Sequence, residues 1–262
     1  MRLSSIVATV MLGCFVTGAA PGAMTNDLCG MMIVDDVKLD GHLTCPGDGL
    51  IVAADGVGID LNGYAIAGPG TGAGIDVTGR SGVSIRGGTI TNFAVGVRVN
   101  TSTDLVIEDT EFAANLEGID LQGGSIGNAI KGNTFRNSAT RGIMLRGNVR
   151  ENEIKGNTFI GNRVGILVFG GVDNTLKNNT VSGSSLAGIR LNVIATGNVL
   201  KDNIVRSNVV GIEFIVTPTG SATGNDLKEN TIATNGCGLK GPTAGNNLMN
   251  NSFEGNVADT CS

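Results

Sequence analysis

The hydrophobic positions of this chain recur in three phase-locked series. In the first, a glycine is followed by two apolar residues that flank a variable one: Gly74-Ile-Asp-Val, Gly96-Val-Arg-Val, Gly118-Ile-Asp-Leu, Gly142-Ile-Met-Leu, Gly165-Ile-Leu-Val, Gly188-Ile-Arg-Leu and Gly211-Ile-Glu-Phe, at steps of 22 to 24 residues. The second series is Ile90, Phe112, Phe135, Phe159, Val181, Val205, Ile232 and Phe253. The third is Ile85, Ile107, Ile130, Ile154, Leu176, Leu200, Leu227 and Leu248, each five residues before its counterpart in the second. Alternation within Gly-Ile-x-Leu puts the two apolar side chains on one face and x on the other. Three short strands in a repeat of about 23 residues describe one coil of a parallel β-helix, stacked on the next at about 4.8 Å. Helical periodicity is absent, which excludes a helix-pair solenoid. Ile59, Leu61, Ile66 and Gly49-Leu-Ile-Val extend the pattern toward the N-terminus. The expected fold is therefore all-β, a single-stranded right-handed parallel β-helix of nine or ten coils, roughly 45 Å long. Its right hand is taken in part from the crossover preference of parallel strands. Thr25–Cys45 and Gly245–Ser262 are expected to cap the two ends, where open strand edges would otherwise invite aggregation.

Composition adds a compartment. Arg2, the apolar run Ile6–Val16 and the small residues Thr17–Ala23 read as a secretion signal over residues 1–23, leaving 24–262 as one β-helix domain. The apolar run is too short to span a bilayer. Met11-Leu-Gly-Cys14 resembles a lipoprotein cleavage box and makes Cys14 a candidate lipid anchor. Without the signal, 17 basic and 23 acidic residues remain. That acidic balance, with one Tyr and no Trp, excludes a general attraction to nucleic acid. Cys29, Cys45, Cys237 and Cys261 fall in two pairs, one at each end, and are expected to form Cys29–Cys45 and Cys237–Cys261 disulfides. Zinc would need ligands that His42, the one histidine, cannot complete.

Asn152-Glu-Ile-Lys-Gly-Asn-Thr-Phe159, its relatives and the Gly-Ile-x-Leu phrases resemble the right-handed parallel β-helix repeat family of the pectate-lyase-like superfold. They also resemble the carbohydrate-binding repeats of periplasmic NosD-type copper-maturation proteins. Cys45-Pro-Gly-Asp-Gly-Leu-Ile-Val and Asp60-Leu-Asn-Gly-Tyr-Ala-Ile-Ala-Gly resemble the N-terminal coil of secreted bacterial members. The resemblance covers nearly the whole chain after the signal. It implies the fold strongly, its right hand included, and the function weakly, because the fold hosts lyases, epimerases, hydrolases and binders.

Candidate chemistry sits at the outward positions. Two series of asparagines, from Asn128 to Asn246 and from Asn133 to Asn251, are expected to stack as structural amide ladders. Lys131, Lys155, Lys177, Lys201 and Lys228 share one coil position. They form either a solvated face, neutralised by Glu153, Asp202, Asp226 and Glu229, or a rail for a polyanion such as a polyuronate. The x positions read Asp76, Arg98, Asp120, Met144, Leu167, Arg190 and Glu213, with an apolar step in the middle. Asp104, Glu108 and Asp109 are the calcium candidates, from an acidic cluster of the kind that pectate-lyase-like enzymes use.

The hydrolase Gly-His-Gly and the epimerase Asp-Pro-His-Glu of the superfold are absent. Asp76, Arg98 and Asp120 are the remaining catalytic candidates, with charge pairing as the alternative account of them. The balance favours a secreted, non-catalytic protein that binds carbohydrate at the cell envelope. A polysaccharide lyase or epimerase, and a structural or adhesin-like rod, are the alternatives.

Overall fold

A computed structural model describes residues 28–261 apart from Val193 and Thr219. The signal segment and Cys14 lie outside the described residues. The Gly-Ile-x-Leu phrases form an eleven-stranded sheet, all parallel, that runs from Met32–Ile33 through Val95–Asn100, Glu117–Gln122, Arg141–Arg146, Val164–Phe169 and Ala187–Asn192 to Ala258–Cys261. The other two strands of each coil, such as Glu153–Lys155 and Thr158–Ile160, pair with their counterparts one coil before and one coil after. The chain is thus a parallel β-solenoid of about ten coils. Among the described residues no helix is long and apolar enough to cross a membrane.

The register is the one that the apolar series demand. Ile107, Ile130, Ile154, Leu176, Leu200 and Leu227 face one another coil by coil, and all are essentially buried. Each contributes about 1.5–3 kcal/mol of apolar burial. Phe112, Phe135 and Phe159 stack face to face, with ring centroids 4.8 and 4.7 Å apart. The second apolar series, to which this column belongs, accounts together with the next coil's glycine carbonyl for the glycine of the first series. A Cβ on Gly142 would lie 2.6 Å from a Phe159 ring carbon and 2.7 Å from the Gly165 carbonyl oxygen. No side chain fits where the chain bends past the phenyl stack.

The corners between strands are held by buried asparagines. Asn157 is representative. Its Nδ2 donates to the Ile130 carbonyl (2.8 Å) and to Asn179 Oδ1 (3.1 Å). Its Oδ1 accepts from the Asn133 backbone N–H (2.9 Å) and from Asn133 Nδ2 (3.1 Å). The series through Asn128 and Asn152 is bonded in the same way. A third ladder runs through Asn115, Asn162, Asn208, Asn235 and Asn256 at the remaining corner. Ser138 and Ser184 occupy two of its rungs. Their hydroxyls are buried without a partner, too short to span to the next coil.

Both expected disulfides are formed. Leu28, Cys29 and Met31 pack over the N-terminal end of the core. The C-terminal segment differs from expectation. Gly245–Cys261 does not fold over the end but continues the stack as a further coil, with Asn247–Met249 and Ser252–Glu254 in register with the coil before. The reason is that Leu248, Phe253, Asn246 and Asn251 carry the full repeat pattern. The connection after Phe214 is longer than the others, and in it Val216–Thr217 and Gly220–Ser221 form an antiparallel hairpin.

Removing one central rung leaves buried groups in two other coils unpaired, at about 1–3 kcal/mol each. Asn157→Ala is therefore expected to lower unfolding free energy by about 3 kcal/mol. Asn251→Ala, on the solvated last coil, should cost about 1 kcal/mol. Urea denaturation of both variants measures the difference.

Candidate functional site

Two columns of outward side chains run along the solenoid. On one, Glu108, Lys131, Lys155, Lys177, Lys201, Lys228 and Met249 stand in successive coils in exact register. Three of the five lysines have carboxylate partners: Lys131 with Glu153 (3.1 Å), Lys201 with Glu229 (3.0 Å) and Lys228 with Asp226 (2.6 Å). The hydrogen bond from Lys201 holds the Glu229 carboxyl below its usual range, and that from Lys228 does the same for Asp226. Both carboxyls therefore stay ionised to lower pH than an unpaired one. Lys155 and Lys177 make no ion pair among the described residues. The continuous rail is thus reduced to two neighbouring ammonium groups without ion pairs, Lys177 still within the field of Glu229, flanked by paired ones.

The second column belongs to the eleven-stranded sheet. Asp76, Arg98, Asp120, Met144, Leu167, Arg190, Glu213 and Lys240 are register neighbours. Arg98 bonds Asp76 at 2.6 Å. Asp120 does not complete a triad with them. Its buried carboxylate instead takes both arms of a guanidinium fork from Arg146, at 3.0 and 2.6 Å. Those bonds hold Arg146 above its ordinary pKa. At the other end Glu213 is shared by Arg190 and Lys240.

Between these ionic stretches lies a shallow depression of about 430 Å³. Met144 and Leu167 form its floor and pack with Val164, apart from the main core. Phe169 borders it, 43% exposed. Arg141, Arg146 and Arg190 form the rim with Gln122 and Asn192. A second hollow beside it, of about 250 Å³, is lined by Arg141, Arg163, Arg190, Thr140, Leu167 and Leu186. The rim carboxylates lie beneath their arginines. Glu117, Asp120 and Glu213 side chains are 13, 2 and 6% exposed, against 31, 42 and 21% for Arg141, Arg146 and Arg190. The groove therefore presents guanidinium donors around an apolar floor.

Sequence reading placed Met144, Leu167 and Arg190 here but missed Arg141, Arg146 and Arg163. Alternation was the available signal. Arg146, Phe169 and Asn192 each lie two residues beyond an outward x position and so share its face. The calcium candidates are not gathered. Glu108 lies between Arg86 and Lys131, while Asp104, before the strand Val106–Ala113, and Asp109, within it, have left-handed backbones. Among the described residues no three His, Cys, Asp or Glu side chains are placed to hold a metal.

The model of the family described as periplasmic copper-binding protein (NosD) matches residues 47–223, about two-thirds of the chain. The chain belongs to the NosD family. No curated protein sequence matches it. Among solved structures it is similar to the A-module of the Azotobacter vinelandii mannuronan C-5 epimerase AlgE4. Identity is 15% and the TM-score 0.64, over 92% of this chain and 85% of that one. It is also similar to an alginate lyase from Paenibacillus sp. str. FPU-7, at 16% identity and TM-score 0.56, over 87% of this chain and 91% of that one. A tailspike mutant of E. coli bacteriophage HK620 in complex with pentasaccharide aligns at 10% identity and TM-score 0.68, over 87% of this chain and 51% of that one. At such identities these likenesses establish the fold.

The NosD family is periplasmic by its description, and the two disulfides fit an oxidising compartment. Its copper does not fit the side chains here. Copper takes thiolate, thioether or imidazole ligands. The four described cysteines are oxidised in disulfides. His42 Nδ1 accepts the Ala65 backbone N–H at 3.0 Å. Met144 is on the groove floor, Met31 packs against the core beside Met32 at the N-terminal end of the stack, and Met249 belongs to the opposite end. The described residues do not assemble a copper site.

Because Asp120 is buried, losing its fork strands a charge. Arg146→Ala is expected to destabilise the protein by about 2 kcal/mol. Adding Asp120→Ala should restore part of that loss, as a double-mutant cycle in urea would show.

Proposed function

We propose that this NosD-family protein is a non-catalytic carbohydrate-binding solenoid of the periplasm or cell surface. In this reading it seats a saccharide in the depression over Met144 and Leu167. The observation that carries the reading is the break in the second column. An ordered ladder of ion pairs gives way, for two coils, to an apolar floor rimmed by hydrogen-bond donors. A sugar ring has that composition: a C–H face for the floor and hydroxyl oxygens at its edge for Arg, Gln and Asn side chains. The similar solved structures include proteins named as an alginate lyase, a mannuronan epimerase and a pentasaccharide complex, which supports carbohydrate as the ligand class.

Binding without turnover is supported by the state of the acidic groups. A general acid or base must be free to exchange a proton with substrate. Asp76, Asp120 and Glu213 are each engaged by an arginine. Polysaccharide extending beyond the groove would meet further cations, and Lys155 with Lys177 offers a second contact for a polyanion such as a polyuronate.

Titration of the protein with alginate, pectate, heparin and neutral glucans, at low and physiological salt, tests the proposal. Saturable saccharide binding is expected, about tenfold weaker in Met144→Ala/Leu167→Ala for the loss of floor contacts. Appearance of unsaturated or epimerised sugar in the same mixtures would sink the non-catalytic part. Lys155→Ala/Lys177→Ala should reduce the salt-sensitive component more than Lys131→Ala/Lys228→Ala, whose lysines are already neutralised. Equal effects would remove the lysines from the site.

A further inference from the structure

We propose that the groove selects a carboxylate-bearing sugar, and that Arg163 is the residue that reads the carboxylate. The inference rests on the carbohydrate reading above and names the ligand class of that site. It starts from a charge imbalance. Arg141, Arg163 and Arg190 line the same small hollow beside Leu167. Arg141 is bonded to Glu117 and Arg190 to Glu213. Arg163 is exposed and has no ion pair among the described residues.

The coil arrangement explains why it has none. Elsewhere on this sheet an arginine finds its carboxylate one rung away, as Arg98 finds Asp76 and Arg190 finds Glu213. The backbone bonds from Val164 to Thr140 and from Leu186 to Arg163 fix the rungs on either side of Arg163. Those rungs carry Thr140 and Leu186, which cannot neutralise it. The hollow therefore holds one uncompensated positive charge between two arginines whose partner carboxylates are less exposed than the arginines themselves.

A guanidinium offers five N–H donors in a planar fork that matches a carboxylate. Its neighbours Arg141 and Arg190 are already fixed in place by Glu117 and Glu213, so little side-chain freedom is lost when they join the contact. A hexuronic acid with its ring over Met144 and Leu167 would carry its carboxylate into this hollow. A neutral hexose in the same pose would place an uncharged hydroxymethyl group there and leave Arg163 unanswered.

The test compares a short uronic-acid oligosaccharide with its carboxyl-reduced counterpart by calorimetry, in about 0.15 M salt so that general attraction is screened. The whole chain is used throughout. The acidic oligomer should bind at least tenfold tighter. Arg163→Gln should reduce that preference to twofold or less, with an unchanged thermal midpoint. Arg206→Gln, an exposed arginine elsewhere on the solenoid, should leave the preference intact. A sulfated oligomer of equal charge should not match the uronate. Equal affinity of the wild type for acidic and reduced oligomers would overturn the inference while the carbohydrate reading stands. So would a preference that survives Arg163→Gln, or one matched by the sulfated oligomer. Failure of both oligomers to bind would overturn the two readings together.

Discussion

A coil that turns three corners around a dry core buries backbone N–H and C=O groups at each corner, where no strand can pair them. Everything else in this molecule depends on that constraint being met. From Asn128 onward the chain meets it mainly with one side chain, repeated. The asparagine at such a corner donates to a carbonyl of its own coil's predecessor and accepts from the backbone of the same neighbour. Its amide therefore bonds along the solenoid axis and fixes the distance from coil to coil. Strand register, the phenyl stack and the outward columns all inherit their alignment from it.

That constraint also explains what could be read from sequence. The period, the three apolar series and the two complete asparagine ladders are repeated demands on single positions, and repetition is what a sequence displays best. The third ladder was hidden because Ser138 and Ser184 interrupt it, which left Asn115, Asn162 and Asn208 two coils apart. The glycine series was visible as a pattern but not as a cause. Its reason lies in the second apolar series, on another strand, and in the carbonyl of the next coil's glycine. The C-terminal segment was misjudged from an argument about open edges, although Leu248 and Phe253 already carried the repeat.

The site was less legible for a related reason. It is made of departures from the repeat, and a departure has no period. Met144 and Leu167 could be noticed because they interrupt a charged column. The pairing of carboxylates with arginines could not. Asp120 had Arg98 one coil before it and Arg146 one coil after and two residues along. Sequence offers no ground for choosing between them. The fork geometry chose Arg146, and with that choice Asp120 stopped being a neighbour of Arg98 in any chemical sense.

The two cationic surfaces consequently differ in kind. Lysines on the first column are separate, strongly hydrated charges, and where unpaired they attract a polyanion through a field that salt screens. Arginines on the second are pinned from behind by buried carboxylates. Pinning lowers their net charge and so weakens their reach into solution, but it also fixes donor directions toward the groove. Long-range attraction and local selection are thus assigned to different faces of one rod. Stacking makes the division possible: a column of x positions can change character over two coils, from ion pairs to an apolar floor and back, without disturbing the asparagine ladders that hold those coils together.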